Sequence, residues 1–360
     1  MNSPYTHHDK YRSEYSMDVA IACDVTASCV RIVFYDIALS RRIARSAAVF
    51  ADINAENAAT ELAKHIFIAM REYGIPASAI TKIGCCAPID IAMAIEDELS
   101  PTDMFLRPDV EISVLPFVSA YAGGRFAAMI ATVPPKEGTF VADLGSALNL
   151  AYFTEGRFEI ATVQLSGAFD GTALSEGIAY EFGAIDEVYR DESGIVCYCV
   201  YGDEDSCGVS ASAALDGICL MLEKDIIDED GIMTDRDQFY IGEDHCLLQR
   251  DVRAVQTDKA KASAAIQCFL KRYPTPTEVY LTGDVTACKG VECLVQLGIL
   301  PKELAENAHF SPVSAEQGII DCLSDEAKLS ALDKLISSAA DVSNDILDDF
   351  DDLYITNLSF

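Results

Sequence analysis

Basic residues are scarce in this chain. Its 360 residues carry 26 Lys and Arg against 58 Asp and Glu, a net charge of −32, and no block of five or more basic residues occurs. Such a surface repels polyanions and lacks the cations whose binding releases counterions, which excludes nucleic acid and anionic membrane surfaces as partners. Long apolar runs are also missing, because charges interrupt every stretch before the roughly 20 residues that a bilayer span needs. The segment 1–16 is polar throughout and reads as neither signal peptide nor anchor. Neither Cys-x-x-Cys nor His-x-x-x-His is present, so a zinc site has no support. The 13 cysteines are odd in number, scattered, and mostly inside apolar stretches, as at Cys23, Cys219 and Cys268. They read as reduced core thiols of a cytoplasmic protein rather than as a disulfide framework.

Half of the residues are apolar, enough at this length to fill two cores. Two stretches begin alike. Val19-Ala20-Ile21-Ala22-Cys23-Asp24-Val25-Thr26 runs from an apolar strand into an aspartate and a small turn, and Thr139-Phe140-Val141-Ala142-Asp143-Leu144-Gly145-Ser146 repeats the plan, each with a second β-rich run behind it. A duplicated strand, aspartate and turn is the imprint of a two-lobed fold in which each lobe offers a turn to a ligand. Strands and helices alternate in both halves, which makes the class α/β. Helical spacing of Leu62, Ile66 and Ala69 or Met70 predicts a helix over 57–73, and a second helix is expected from about Thr172 to Phe182. Gln249 to Tyr273 reads as the longest helix, and Glu155-Gly156 as the turn of a hairpin. The expected organisation is a flexible leader over 1–17, a first lobe over 18–135 closed by Pro134-Pro135, a second lobe over 136–325, and a C-terminal helix with an acidic tail over 326–360. The six aspartates between Asp341 and Asp352 read as a solvated helix end and mobile terminus.

An aspartate at the tip of a buried strand can hold a water-bound magnesium while amides of the next turn face phosphate oxygens. It can equally cap the turn and nothing more. Both readings stand open for Asp143 and Asp24. Phosphate turns favour glycine, because a Cβ would keep the ligand off the backbone. Asp143-Leu144-Gly145-Ser146 meets that requirement; in the first stretch Thr26 stands where glycine is expected. A third turn, Thr282-Gly283-Asp284 after an apolar strand, suits either an adenosine or a simple strand end. Cys197, Cys199 and Cys207 match no ferredoxin spacing.

The ordered set of motifs resembles the C-terminal domain of the reductive activators of corrinoid proteins. It comprises Val141-Ala142-Asp143-Leu144-Gly145, Leu165-Ser166-Gly167 through Gly171, Glu176-Gly177-Ile178, Asp251-Val252-Arg253 with Lys259 and Lys261, Val279-Tyr280-Leu281-Thr282-Gly283 and Leu297-Gly298-Ile299-Leu300-Pro301. That domain belongs to the superfamily of acetate and sugar kinases, heat-shock chaperones and actin, often abbreviated ASKHA. The resemblance implies a two-lobed actin-like, ribonuclease-H-like fold of duplicated mixed sheets flanked by helices. It implies ATP and Mg²⁺ as cofactors, with Asp143 and Asp24 toward the metal, Thr26, Gly145, Ser146 and Gly171 toward phosphates, and Gly283 with Asp284 at the adenosine. It further implies a corrinoid or other redox protein as partner, and a homodimer. Family members usually carry an iron–sulfur domain ahead of this region, where only sixteen polar residues stand here; the expectation is no cluster and a separate electron-donor protein.

Departures from the family pattern at Thr26, Ala211-Ser212-Ala213, Ser166 and Asp284 bear on nucleotide affinity. They keep a second function in view, a nucleotide-independent binding or regulatory module of the same fold.

Overall fold

The computed structural model describes residues 17–360 apart from 27, 28, 50–52, 120, 121, 181, 182, 203, 204, 235, 236, 243, 288–290, 311–313 and 348. The described chain divides into two compact units. The first runs to Leu115 and is completed by Ile319–Leu329; the second comprises Pro116–Gly318 and Ser330–Phe360.

The first unit holds β1 (Val19–Val25), β2 (Cys29–Asp36), β3 (Arg41–Val49), α1 (Ala58–Glu72), β4 (Ile80–Cys86), α2 (Ile89–Glu98) and β5 (Glu111–Val114). Its sheet runs in the order β3-β2-β1-β4-β5. β1, β2 and β3 form an antiparallel meander, and β4 and β5 extend it in parallel from the other side of β1. Every residue of β1 is buried, as a strand covered on both faces requires. α1 turns Leu62, Ile66, Ala69 and Met70 inward, the face expected from their spacing.

The second unit opens with α3 (Gly124–Ala131), β6 (Thr139–Leu144), β7 (Ala147–Thr154) and β8 (Arg157–Gln164), followed by β9 (Ala184–Arg190), β10 (Val196–Val200), β11 (Gly208–Val209), α4 (Ala211–Glu223), β12 (Gln238–Ile241) and β13 (His245–Leu248). It continues with α5 (Gln249–Leu270), β14 (Glu278–Thr282), α6 (Val291–Gln296), α7 (Lys302–Ala305) and β15 (Ala308–Phe310). The chain closes with α8 (Ala315–Ser324), α9 (Glu326–Ser337), β16 (Ala340–Asp341) and α10 (Phe350–Thr356). The large sheet has the order β15-β14-β6-β7-β8-β16. Here too an antiparallel meander, β6-β7-β8, is extended in parallel from its first strand, by β14 and β15. The two sheets therefore repeat one plan, with β6 in the role of β1. Glu155 and Gly156 turn β7 into β8 with φ of 52° and 81°, the left-handed pair that a tight hairpin needs.

The Pro134-Pro135 pair, expected to close the first lobe, follows α3 inside the second unit. α3 is tied there by packing of backbone on backbone: a Cβ on Gly318 would overlap the Ala128 carbonyl oxygen. Residues 172–180, expected to be helical, form consecutive turns with one bridge between Gly177 and Val209. The Gly171 and Gly177 backbones approach so closely that neither tolerates a Cβ, and Asp251 takes the Ser175 N–H, so the segment has no room to wind. The acidic tail is docked rather than solvated and mobile. Ile346 is buried, α10 lies on α5, and Lys271 and Arg272 at the end of α5 pair with Asp349 and Asp345 at 3.2 Å each. Apolar positions between the aspartates, Ile346, Phe350 and Leu353, supply the contact face.

Two stability effects follow. Gly318→Ala pushes a methyl group into the Ala128 backbone and is expected to cost about 2 kcal/mol, read as a lowered urea midpoint at unchanged slope. Asp216 on α4 accepts the Val188 N–H at 3.1 Å, and burial, with the charge of Asp186 nearby, raises its pKa from 3.8 to about 6. The native state thus keeps a proton that the unfolded chain releases. Stability from this group is full below about pH 4 and is lost as pH rises through about 6, on the order of 2–3 kcal/mol in total. Asp216→Asn keeps the acceptor and removes the titration, so the variant gains on the parent across that interval in denaturation midpoints measured against pH.

Candidate functional site

The equivalent aspartates of the two sheets, each penultimate in its strand, meet different neighbours. Asp24 faces Arg31 across β1 and β2 and Cys86 across β1 and β4. Arg31 Nη1 lies 3.2 Å from Asp24 Oδ2 and Cys86 Sγ donates to Asp24 Oδ1 at 3.4 Å, with the Asp24 and Arg31 side chains 1% and 5% exposed. Thr26 closes its own turn, donating its amide to the Cys29 carbonyl at 2.8 Å and accepting the Cys29 amide on its hydroxyl at 3.0 Å. The first-unit turn is therefore built from an ion pair and a self-closing hydroxyl.

Asp143 faces Asn149 across β6 and β7 and Thr282 across β6 and β14. Asn149 Nδ2 donates to Asp143 Oδ2 at 2.9 Å, and Thr162 Oγ1 donates to Asn149 Oδ1 at 3.0 Å, which fixes the amide's orientation. A neutral donor thus stands where the first unit has a guanidinium. Beyond Asp143 the backbone passes through buried Gly145 to exposed Ser146.

The neighbouring strand β14 ends beside it in Gly283 and Asp284. Gly283 has φ of 101°, and a Cβ there would collide with the Leu144 backbone. The glycine is needed to let two parallel strand ends close, a role internal to the protein. Asp284 turns back: its Oδ2 is 3.7 Å from where a Gly145 Cβ would stand, and its Oδ1 lies 3.5 Å from Arg125 Nη2 of α3. The loop after β8 brings Asp170 and Gly171. Gly171 has φ of 87° against the Ile178 carbonyl, and Asp170 accepts from the Thr172 amide and hydroxyl at 3.0 and 2.7 Å. Burial pushes the Asp170 carboxyl up against the pull of those donors, and the charges of Asp284 and Asp258 push it further. Asp143, Gly145, Ser146, Gly171, Gly283 and Asp284 thus all belong to the strand ends and loops of the second unit, whereas Asp24 and Thr26 belong to the first.

Sequence reasoning missed what holds the loop. Asp258 on α5 is fully buried and accepts the Ser166 and Ala168 amides at 2.7 and 2.8 Å; one turn pair earlier, Asp251 accepts the Ser175 amide and hydroxyl at 2.7 and 2.6 Å. Seven residues apart, they lie on one face of the helix. Acidic residues on the apolar face that carries Val252, Val255 and Ala262 were the available signal. Order along the chain also hid a relay in which His245 Nδ1 meets Glu176 Oε2 and His245 Nε2 meets Ser206 Oγ, both at 3.0 Å. It has the atom order of a hydrolytic triad, but the amide following Ser206, that of Cys207, is committed to the Gly183 carbonyl at 2.7 Å. The relay therefore ties two loops to the start of β13 without that amide as an oxyanion donor.

The Asp24–Arg31 pair carries a direct prediction. Arg31→Leu leaves a charge buried without its partner and is expected to cost on the order of 3–5 kcal/mol in chemical denaturation at neutral pH, whereas Asp24→Asn with Arg31→Gln recovers most of it. A loss under about 1 kcal/mol for Arg31→Leu would show that Asp24 is not held as a structural pair.

The family model described as the C-terminal domain of RACo, the ASKHA domain, matches residues 137–360. The corrinoid activation enzyme RamQ of Eubacterium limosum is 24% identical over 233 residues, 56% of this chain and 39% of that protein. The chain thus spans about two-fifths of the length of this curated relative. A solved structure of a reductive activator for a corrinoid, iron–sulfur protein superposes over 97% of this chain and 67% of its own with a TM-score of 0.82 at 16% identity, a likeness of fold. The fold is therefore the actin-like α/β one, with its mixed sheet duplicated, and no helix among the described residues is long and apolar enough to cross a membrane. The matched segment covers the whole second sheet and more than half of the chain, and by that measure this chain belongs to the family of the RACo C-terminal ASKHA domain.

Proposed function

We propose that this chain is the actin-like module of a corrinoid-activation system, binding Mg-nucleotide at the second-unit strand ends and acting on a corrinoid protein or a related redox partner. The observation that carries the nucleotide part is the environment of Asp143. Its carboxylate is oriented by Asn149, a donor without charge, and the next turn supplies Gly145 and exposed Ser146. Family membership and the printed role of RamQ support the corrinoid part.

The residues present fit a magnesium–nucleotide better than a free one. Polyphosphate beside Asp143 and Asp284 is repelled unless a divalent cation neutralises it, and that charge compensation is what the ion supplies. Among the described residues no three His, Cys, Asp or Glu side chains converge on a metal position, so the cation would rest on Asp143, water and phosphate oxygens. Magnesium characteristically keeps several waters and takes one or two carboxylates. Gly145, Ser146 and Gly171 would face phosphates. Gly283 would meet the adenosine through its peptide edge, since its Cα face is filled by the Leu144 backbone. Asp24 contributes least, its charge being answered by Arg31, and Thr26 uses its hydroxyl within its own turn.

Those last two features favour a second reading, a nucleotide-independent binding or regulatory module. Thermal melting separates the two. On the first reading millimolar Mg-ATP raises the midpoint by several degrees, ATP with excess chelator does not, and Asp143→Ala abolishes the shift while the apo midpoint stays nearly fixed. No shift with Mg-ATP moves the assignment to the second reading.

A further inference from the structure

Two free thiols separated by 74 positions, those of Cys219 and Cys293, meet between helices. Cys219 on α4 and Cys293 on α6 hold their Sγ atoms 2.9 Å apart. Cys219 is 7% exposed, and Cys293 is partly exposed, which gives a small reagent a way in. A disulfide has its sulfurs about 2.05 Å apart, so side-chain rotation of under about 1 Å closes the gap. Cys23 and Cys85 also stand opposite each other, on β1 and β4, but both are 0% exposed and offer no such entry. The surroundings give the first pair a consequence. α4 packs on α6 and on the single 3-10 turn Asp284–Ala287, so a bond between α4 and α6 ties down the helix that follows the turn bearing Asp284.

We infer that Cys219 and Cys293 form a reversible dithiol–disulfide site whose oxidant is a small-molecule disulfide such as oxidised glutathione. The Cys293 thiolate attacks one sulfur of the reagent, forming a mixed disulfide and releasing one small thiol. Cys219 then attacks Cys293 Sγ, forming the internal bond and releasing the second small thiol. Two protein thiols lose two electrons, one small disulfide is reduced to two thiols, and the two protein protons end on those leaving groups. The contact with Cys219, burial and the negative charge of Asp216 all push the Cys293 thiol up, so thiolate is scarce at neutral pH and the exchange is slow. The site stays reduced through brief exposure and responds to a sustained oxidising poise.

The test treats the intact chain with oxidised glutathione at about pH 7 and at about pH 9, blocks remaining thiols, and maps peptides without reduction. A Cys219–Cys293 linked peptide is expected, formed faster at the higher pH and lost on adding dithiothreitol. Closing a loop of this length is expected to raise the melting midpoint by several degrees. In Cys219→Ser the resolving thiol is gone, so Cys293 is recovered as the mixed disulfide and the melting gain disappears. Recovery of both cysteines as free thiols, while exposed Cys199 and Cys207 carry glutathione, overturns the inference. So does a Cys219→Ser chain that keeps the melting gain.

Discussion

A carboxylate near the end of a buried strand has to be answered by whatever its cross-strand neighbour offers, and that single choice separates the two halves of this molecule. The sheets share a plan, and Asp24 and Asp143 occupy the same place in it. Opposite Asp24 is Arg31; opposite Asp143 is Asn149. A guanidinium cancels the charge in place, so the first pair stabilises its sheet and leaves little for a cation. The Asn149 amide orients the Asp143 carboxylate without bringing a charge of its own. The two sheets carry one turn plan twice, and a single cross-strand difference sets an ion pair at the first aspartate and a neutral amide donor at the second.

The glycines around the second turn obey a related constraint. Gly283 and Gly171 both have positive φ, and both are pressed against backbone of the same unit, Leu144 in one case and Ile178 in the other. Their first duty is to let the chain close on itself. Gly145 differs, because among the described residues only the Asp284 carboxylate comes near its Cα face. The loop that carries Asp170 and Gly171 gains its shape from α5, whose two buried aspartates each accept two donors from the segment 166–175. Buried carboxylates satisfied by amides are stable without a counter-ion, since charge-assisted hydrogen bonds offset much of the desolvation. A helix interior to the unit thereby sets the geometry of a loop at its edge.

Much of this was legible in the sequence, and the reasons for the exceptions are specific. The strand, aspartate and turn repeat stands out because β1, and β6 from Phe140, are apolar up to the aspartate, as a strand covered on both faces requires. The hairpin at Glu155-Gly156 and the inward face of α1 follow from local rules of turn chemistry and periodicity. The turns over 172–180 escaped because what forbids the helix is tertiary: Gly177 closes on the Gly171 carbonyl, and the pull on Ser175 comes from Asp251, 76 positions away. The acidic tail escaped for the same reason: its charges were visible, but Lys271 and Arg272, which receive them, lie about seventy residues upstream. Arg31 as the partner of Asp24 was within reach, since a meander with a short turn places those residues opposite each other.

Electrostatics also limits what the second-unit turn can receive. Asp284 is shared with Arg125, and Asp170 is driven toward its neutral form by burial and by Asp284 and Asp258. Asp143 is oriented by the Asn149 amide. The carboxylates of Asp143, Asp170 and Asp284 thus belong to the strand ends and loops of one unit, on a chain whose net charge is already −32. An anion arriving alone meets repulsion both at long range and on contact. On the proposed reading, an anion arriving with a divalent cation brings compensating charge, and the same carboxylates that would reject the first would then contribute to holding the second. On the proposed reading, acidity would favour the metal complex over the free ligand, which gives a turn with few glycines a physical basis for discrimination.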